Sequence, residues 1–152
     1  MTIRPAAPVD HAAILAIWLR SVRGSHAFLT EADIQELYPL VRDAALPALE
    51  LYVLECDGAA IGFMGLDGAK VEAMFLLPGH CRRGGGRMLI EYARRLKGSL
   101  SVDVNEQNPE AIRFYEAVGF RVVGRSEVDG QGRPYPLLHM SETRTAGLEP
   151  EA

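Results

Sequence analysis

The stretch CRRGGGRML, Cys81 to Leu89, sets three consecutive glycines among arginines. Bare backbone beside positive charge suits a ligand carrying several phosphates. Glycine N–H groups approach an anionic oxygen with no Cβ in the way, and Arg82, Arg83 and Arg87 supply charge. If a helix starts at Gly84, Gly85 and Gly86, its first turn adds unpaired N–H groups and about half a positive charge. A dinucleotide turn would need glycine where Leu89 stands, and a P-loop would need lysine where Gly85 stands. A linker is excluded because strongly patterned segments flank the run on both sides. The basic residues Arg82, Arg83, Arg87, Arg94, Arg95 and Lys97 face one acid, Glu91, in a chain whose net charge is −4. On glycine and charge alone, a phosphate cradle and a solvated helix face behind a flexible turn both stand.

Other chemistries are poorly served. Cys56 and Cys81 have no metal-ligand spacing, and His11, His26, His80 and His139 are scattered, so no metal is expected. His11, His80 and His139 read as surface or packing residues. An acidic chain without aromatics interleaved among its arginines is a poor nucleic-acid binder. No apolar run approaches the ~20 residues that span a bilayer, and MTIRPAAPVD lacks a signal pattern. These observations predict a cytoplasmic protein with no nucleic-acid or membrane partner, a monomer or homodimer.

The elements that must position the glycines follow from periodicity and punctuation. With 48% hydrophobic residues in 152, one domain over 1–142 with a sizeable core is expected, and 143–152 reads as a frayed tail. TIRPA suits a strand. A helix follows from Pro8, with Ile14, Ile17, Trp18 and Val22 on one face. Thr30 and Asp33 form a capping pair for a second helix, with Leu29 and Ile34 as its staple. ELYVLEC, AAIGFMGLD and KVEAMFLLP read as a three-strand meander joined by tight turns. A helix runs from the glycines to Gly98, with Met88, Leu89, Tyr92 and Leu96 buried. SLSVDV is a strand and NPEAIRFYEAVGF a helix, capped by Asn108, opened by Pro109 and stopped by Gly119. RVVGRSEV and PYPLLHM close as a hairpin around Asp129-Gly130. The order is β-α-α-β-β-β-α-β-α-β-β. It is an α+β fold with a mixed, largely antiparallel sheet, in which the crossover makes VEAMFLL and SLSVDV a central parallel pair.

At this point the sequence resembles a family. VEAMFLLPGHCRRGGGRML is similar to the acyl-CoA-binding motif of the GCN5-related N-acetyltransferases (GNAT), a strand, a proline, Arg-x-x-Gly-x-Gly and a helix. NPEAIRFYEAVGF resembles the family's second motif. The element order is also the family's, and SHAFLT, VNEQNPEA and GRSEVDGQGRPYPLLHM resemble its YjaB-like bacterial branch. Three positions depart from the pattern: Cys81 stands where the family usually carries arginine or glutamine, Arg82 where glycine is common, and Gly85 where isoleucine or valine is common.

The resemblance implies direct transfer of the acetyl group of acetyl-CoA to a primary amine of a small molecule or peptide. A non-catalytic acyl-CoA sensor on the same fold is the alternative. It implies that backbone at Phe75, Leu76 and Leu77 holds the pantetheine arm, that Arg82 to Arg87 cradle the pyrophosphate, and that Asn108 helps hold the cofactor. Tyr115 becomes the general acid; a phenol is protonated at neutral pH and can donate to a leaving thiolate. Phe114 beside it reads as a packing residue. For the base, Glu72 on the central strand, His26 and a water chain all stand. Trp18, His26, Phe28 and Leu29 are the candidate wall of the acceptor pocket.

Overall fold

The computed structural model describes residues 1–25, 29–80, 84–130 and 132–142. The expected tail at 143–152 lies outside them. The strands are β1 (Thr2–Pro5), β2 (Glu50–Cys56), β3 (Ala59–Asp67), β4 (Lys70–Leu76), β5 (Ser101–Asn105), β6 (Phe120–Ser126) and β7 (Leu137–Glu142). The helices are α1 (His11–Ser25), α2 (Glu31–Leu40), α3 (Gly85–Lys97) and α4 (Pro109–Ala117). In chain order they give the predicted sequence of elements. Hydrogen bonding orders the strands β1-β2-β3-β4-β5-β7-β6. No helix among the described residues is long and apolar enough to cross a membrane.

Contacts group the described residues into two compact units, one from Met1–Asp67 with Glu72–Tyr92, the other from Gly68–Val71 with the described residues after Tyr92. The first unit is built on β1, β2 and β3, antiparallel throughout. Its core joins Ile14, Ile17, Trp18 and Val22 of α1 to Ile34, Leu46, Val53 and Phe63. The helical spacing in the sequence therefore marks the buried face. α2 begins on the predicted pair: the Thr30 hydroxyl accepts from Asp33 N at 3.0 Å, and the Asp33 carboxylate accepts from Thr30 N at 3.2 Å. Aspartate reaches back as well as the usual glutamate does. Leu29 and Ile34 meet in the same core. Near the end of α2, Pro39 removes a donor, and the chain continues as a π-helical turn, Val41–Ala45.

Asp10 does more than sit near a helix start. Its carboxylate takes two hydrogen bonds from Arg4, at 2.8 and 2.9 Å, and one from Ala7 N at 2.7 Å. Those bonds, led by the Arg4 guanidinium, hold its carboxyl down at about 2.

The second unit carries the parallel pair. β4 and β5 share two rungs, Lys70 with Ser101 and Val71 with Val102. β7 then pairs antiparallel with β5, and β6 with β7. Leu100, Val102, Val104, Tyr115, Val118, Phe120 and Met140 are buried. Glu142 is buried too, and its carboxylate accepts from Leu100 N at 2.9 Å and from Arg94 Nε.

Candidate active site

The glycine run resolves into separate tasks. Gly84 has φ +88°, a conformation an L side chain resists, and its carbonyl accepts the first helical bond of α3, from Met88 N at 3.0 Å. Gly85 is buried. A Cβ there would stand 2.7 Å from methyl carbons of both Leu54 and Leu76, so the bare backbone lets the start of α3 press onto β2 and β4. Gly86 is half-buried and Arg87 exposed. A helix starting this way aims the N–H groups of its first turn outward along its axis, a donor set that fits a pyrophosphate. Cys81, Arg82 and Arg83 lie outside the described residues.

The predicted basic island divides. Arg94, Arg95 and Lys97 occupy the last turn of α3, where cations complement the negative end of the helix dipole. At 1.5 Å per residue, Arg94 is about 14 Å along the axis from Gly85. Its guanidinium is committed to the Glu142 carboxylate and to the Val118 carbonyl at the end of α4. Arg94 is thus a structural partner, and of the described cations in the island Arg87 alone sits in the first turn of α3.

Phe75, Leu76 and Leu77 are half-buried, and their backbone is partly engaged. Leu77 N donates to Ile61 O at 2.8 Å, and Leu76 O accepts from the Ser21 hydroxyl at 2.9 Å. The Phe75 carbonyl faces Gly62 so closely that a Cβ there would lie 2.9 Å away. The Phe75 ring packs against Phe63, centroids 5.6 Å apart. Glu72 is exposed on β4. Trp18 is 6% exposed and tilts against Tyr38, with Leu29 packed on the same core, so both take part in packing. His26 and Phe28 lie outside the described residues.

In the second unit Tyr115 is 7% exposed, deeper than its neighbour, since Phe114 is half-buried. The ring meets Phe114 and Phe120 edge-on at 5.1 and 5.4 Å. Burial pushes the phenol well above its usual range, so it is held protonated. The sequence reading of Phe114 as the packing residue and Tyr115 as the chemical one divides the labour too sharply, because Tyr115 is itself part of the core. Asn108 caps α4, its Oδ1 accepting from Ala111 N at 3.2 Å, with Pro109 in the first turn.

One group was missed. His139 Nδ1 is 2.7 Å from Asp103 Oδ1, and Ser126 Oγ is 2.7 Å from His139 Nε2. Lys70 Nζ holds the other Asp103 oxygen at 2.8 Å. Burial alone would raise the Asp103 carboxyl, but the Lys70 and His139 hydrogen bonds outweigh it and hold the group below the usual carboxylate range. Each residue comes from a different strand. The alternation in SVDVN places Asp103 away from buried Val102 and Val104, but which strand would face it depends on the β5–β7 register. Among the described residues no cluster of three or more His, Cys, Asp or Glu is placed to hold a metal ion.

This arrangement has close counterparts. A family profile described as "Acetyltransferase (GNAT) domain" matches residues 47–122. Peptidyl-lysine N-acetyltransferase YjaB of Salmonella typhimurium is 46% identical over 128 residues, covering 84% of this chain and 88% of that protein. The solution structure of apo-form YjaB from Escherichia coli superposes with a TM-score of 0.85 at 41% identity, covering 93% of this chain and 97% of that one. The structure of YncA, a putative acetyltransferase from Salmonella typhimurium with its cofactor acetyl-CoA, gives a TM-score of 0.66 at 26% identity, covering 100% and 98%.

Proposed function

The chain belongs to the GCN5-related N-acetyltransferase family and transfers the acetyl group of acetyl-CoA to an amine, and from that premise we propose that its acceptor is the ε-amine of a lysine in a peptide or protein. The observation that carries the acceptor is the 46% identity over 84% of the chain to an enzyme named for that substrate. We place that work in the cytoplasm.

Acetyl-CoA supplies an activated thioester and a polyphosphate handle. In this reading the first turn of α3, from Gly84 to Arg87, holds the pyrophosphate. Arg82 and Arg83, next along the chain, add the charge that Cys81 does not. The segment Phe75 to Leu77 orients the pantetheine arm. Asn108 offers its amide N–H groups to the cofactor while its oxygen caps α4. Leu29, with His26 and Phe28, is the acceptor-side wall; Trp18 backs that wall from within the core.

Tyr115 donates its Oη proton to the departing sulfur. Its burial supports that role twice over, because the phenol stays protonated across the physiological range and the packed ring fixes the hydroxyl's direction. Glu72 is exposed on β4 as the sequence-derived candidate for the base.

The test is thiol release from acetyl-CoA in the presence of lysine peptides, with small polyamines and peptide N-termini in parallel. Lysine peptides are expected to turn over fastest. Preference for a free small amine would move the acceptor to that class, and acetyl-CoA binding with no release on any amine would support a sensor instead.

A further inference from the structure

The sheet face that carries Asp103 lies opposite the one buried by Val102 and Met140. Val102 pairs with Met140 and Asp103 with His139 on the next rung, and successive residues point to opposite faces. On that face a continuous hydrogen-bonded chain runs from Lys70 through Asp103 and His139 to Ser126. The carboxylate can only accept, so His139 Nδ1 carries a hydrogen toward it. In the neutral ring Nε2 is then the acceptor, and the Ser126 hydroxyl donates to it. This is the protonation pattern of a hydroxyl backed by a base and an orienting carboxylate.

β6 is shaped around the imidazole. Its register with β7 shifts between Val122 and Gly124, and a Cβ on Gly124 would touch the ring at 3.4 Å. Among the described residues, the charged groups bonded toward the ring are Asp103 from β5 and, through it, Lys70 from β4. From β6, Gly124 and Ser126 contribute none, and Arg125, on the alternate face, pairs with Glu106 at 2.8 Å. The His139 side chain is 37% exposed, within reach of a ligand. The β4–β5 ladder ends at Val102, so Asp103 stands one residue beyond its last rung.

We infer that His139, oriented by Asp103 and reached through the Ser126 hydroxyl, is the base that takes the proton from the acceptor amine. The inference rests on the acetyl-transfer reading above. The amine arrives as an ammonium ion. One of its protons passes to Ser126 Oγ as the serine's own proton moves to His139 Nε2, leaving an imidazolium beside the Asp103 carboxylate. The nitrogen lone pair forms the N–C bond and the C–S bond breaks. The sulfur is protonated from Tyr115. The second nitrogen proton replaces the one Tyr115 gave, through solvent, and His139 returns its proton to water. One proton is released per turnover, as the reaction requires.

The experiment is a profile of kcat and kcat/KM from about pH 5.5 to 9.5 with acetyl-CoA and a lysine peptide, which spans most of the window in which imidazoles ordinarily change charge. It compares the wild type with His139→Gln, Asp103→Asn, Ser126→Ala and Glu72→Gln, each checked for fold by thermal melting. His139→Gln is expected to lower kcat about a hundredfold and to abolish the ascending limb at low pH, with KM for acetyl-CoA little changed. Asp103→Asn is expected to lower kcat while KM for acetyl-CoA holds. In the protein without acetyl-CoA it should also move the NMR resonances of the His139 ring at fixed pH, a readout independent of turnover. Retention of the ascending limb in His139→Gln, or its loss in Glu72→Gln, overturns the inference. A wild type that binds acetyl-CoA but acetylates no lysine peptide removes the acceptor reading and the inference with it. A wild type that turns over, with His139→Gln at full rate, removes the inference alone.

Discussion

α3 and α4 begin in opposite ways. α4 satisfies its own start: Asn108 Oδ1 accepts from Ala111 N, and Pro109 has no N–H to satisfy. α2 does likewise with Thr30 and Asp33. α3 begins on Gly84, which has no side chain with which to cap, at φ +88°. Glycine in place of a capping side chain costs only about a few tenths of a kcal/mol, so a start built from glycines gives up a little stability. What it gains is access, because a ligand's oxygens can come to the backbone of the first turn. The same helix finishes conventionally, with Arg94, Arg95 and Lys97 in its last turn. The open start is therefore local to one turn.

The contrast can be broken from either end. The largest effect is expected at the closed end of α3. Arg94→Met strands the buried Glu142 carboxylate and the Val118 carbonyl, and should cost about 3–5 kcal/mol in denaturant unfolding. Acetyl-CoA affinity of the folded fraction should hold; a large drop there would return Arg94 to the cradle. Next comes Tyr115→Phe, which keeps the ring packing and removes the proton. Turnover should fall about a hundredfold with acetyl-CoA affinity nearly unchanged, and unaltered turnover in stopped thiol-release assays would end the general-acid assignment.

At the open start, Gly85→Val forces methyls into Leu54 and Leu76 and should cost about 1–3 kcal/mol in thermal stability while weakening acetyl-CoA binding. Gly84→Ala meets no neighbour within 4 Å, so its cost is conformational, about 1–2 kcal/mol. If it binds acetyl-CoA as tightly as the wild type, the positive φ matters for folding alone. The smallest effect belongs to the closed start of α4. Asn108→Ala should lose about 1 kcal/mol of stability, measured by urea unfolding, with an affinity change under about threefold. A larger loss of affinity would make its amide a principal ligand contact.

The same contrast explains what could be read from sequence. Caps and breakers act within a few residues, so Thr30 with Asp33, Asn108-Pro109 and Gly119 were legible. Hydrophobic periodicity gave the buried face of α1 and the order of the elements. The glycines were visible as a run, but not that Gly85 serves packing while Gly84 serves the turn, because that depends on Leu54 and Leu76 from other strands. Arg94 looked like part of a charge cluster because sequence distance hides the 1.5 Å rise that carries it away from the first turn. Asp103, Ser126 and His139 were missed for a related reason. Each is an ordinary polar residue on a strand, and only the β5–β7–β6 register brings them together.

The central claim, that the glycine start of α3 receives the phosphates of acetyl-CoA, is tested most directly by following backbone amide resonances as acetyl-CoA is added. The account predicts the largest shifts at Gly84, Gly85, Gly86 and Arg87, moving together at saturable ligand concentration, with small changes at Ala111 and Ile112 in the first turn of α4. Saturable binding that leaves the four α3 amides in place, or moves the α4 amides more, would contradict it.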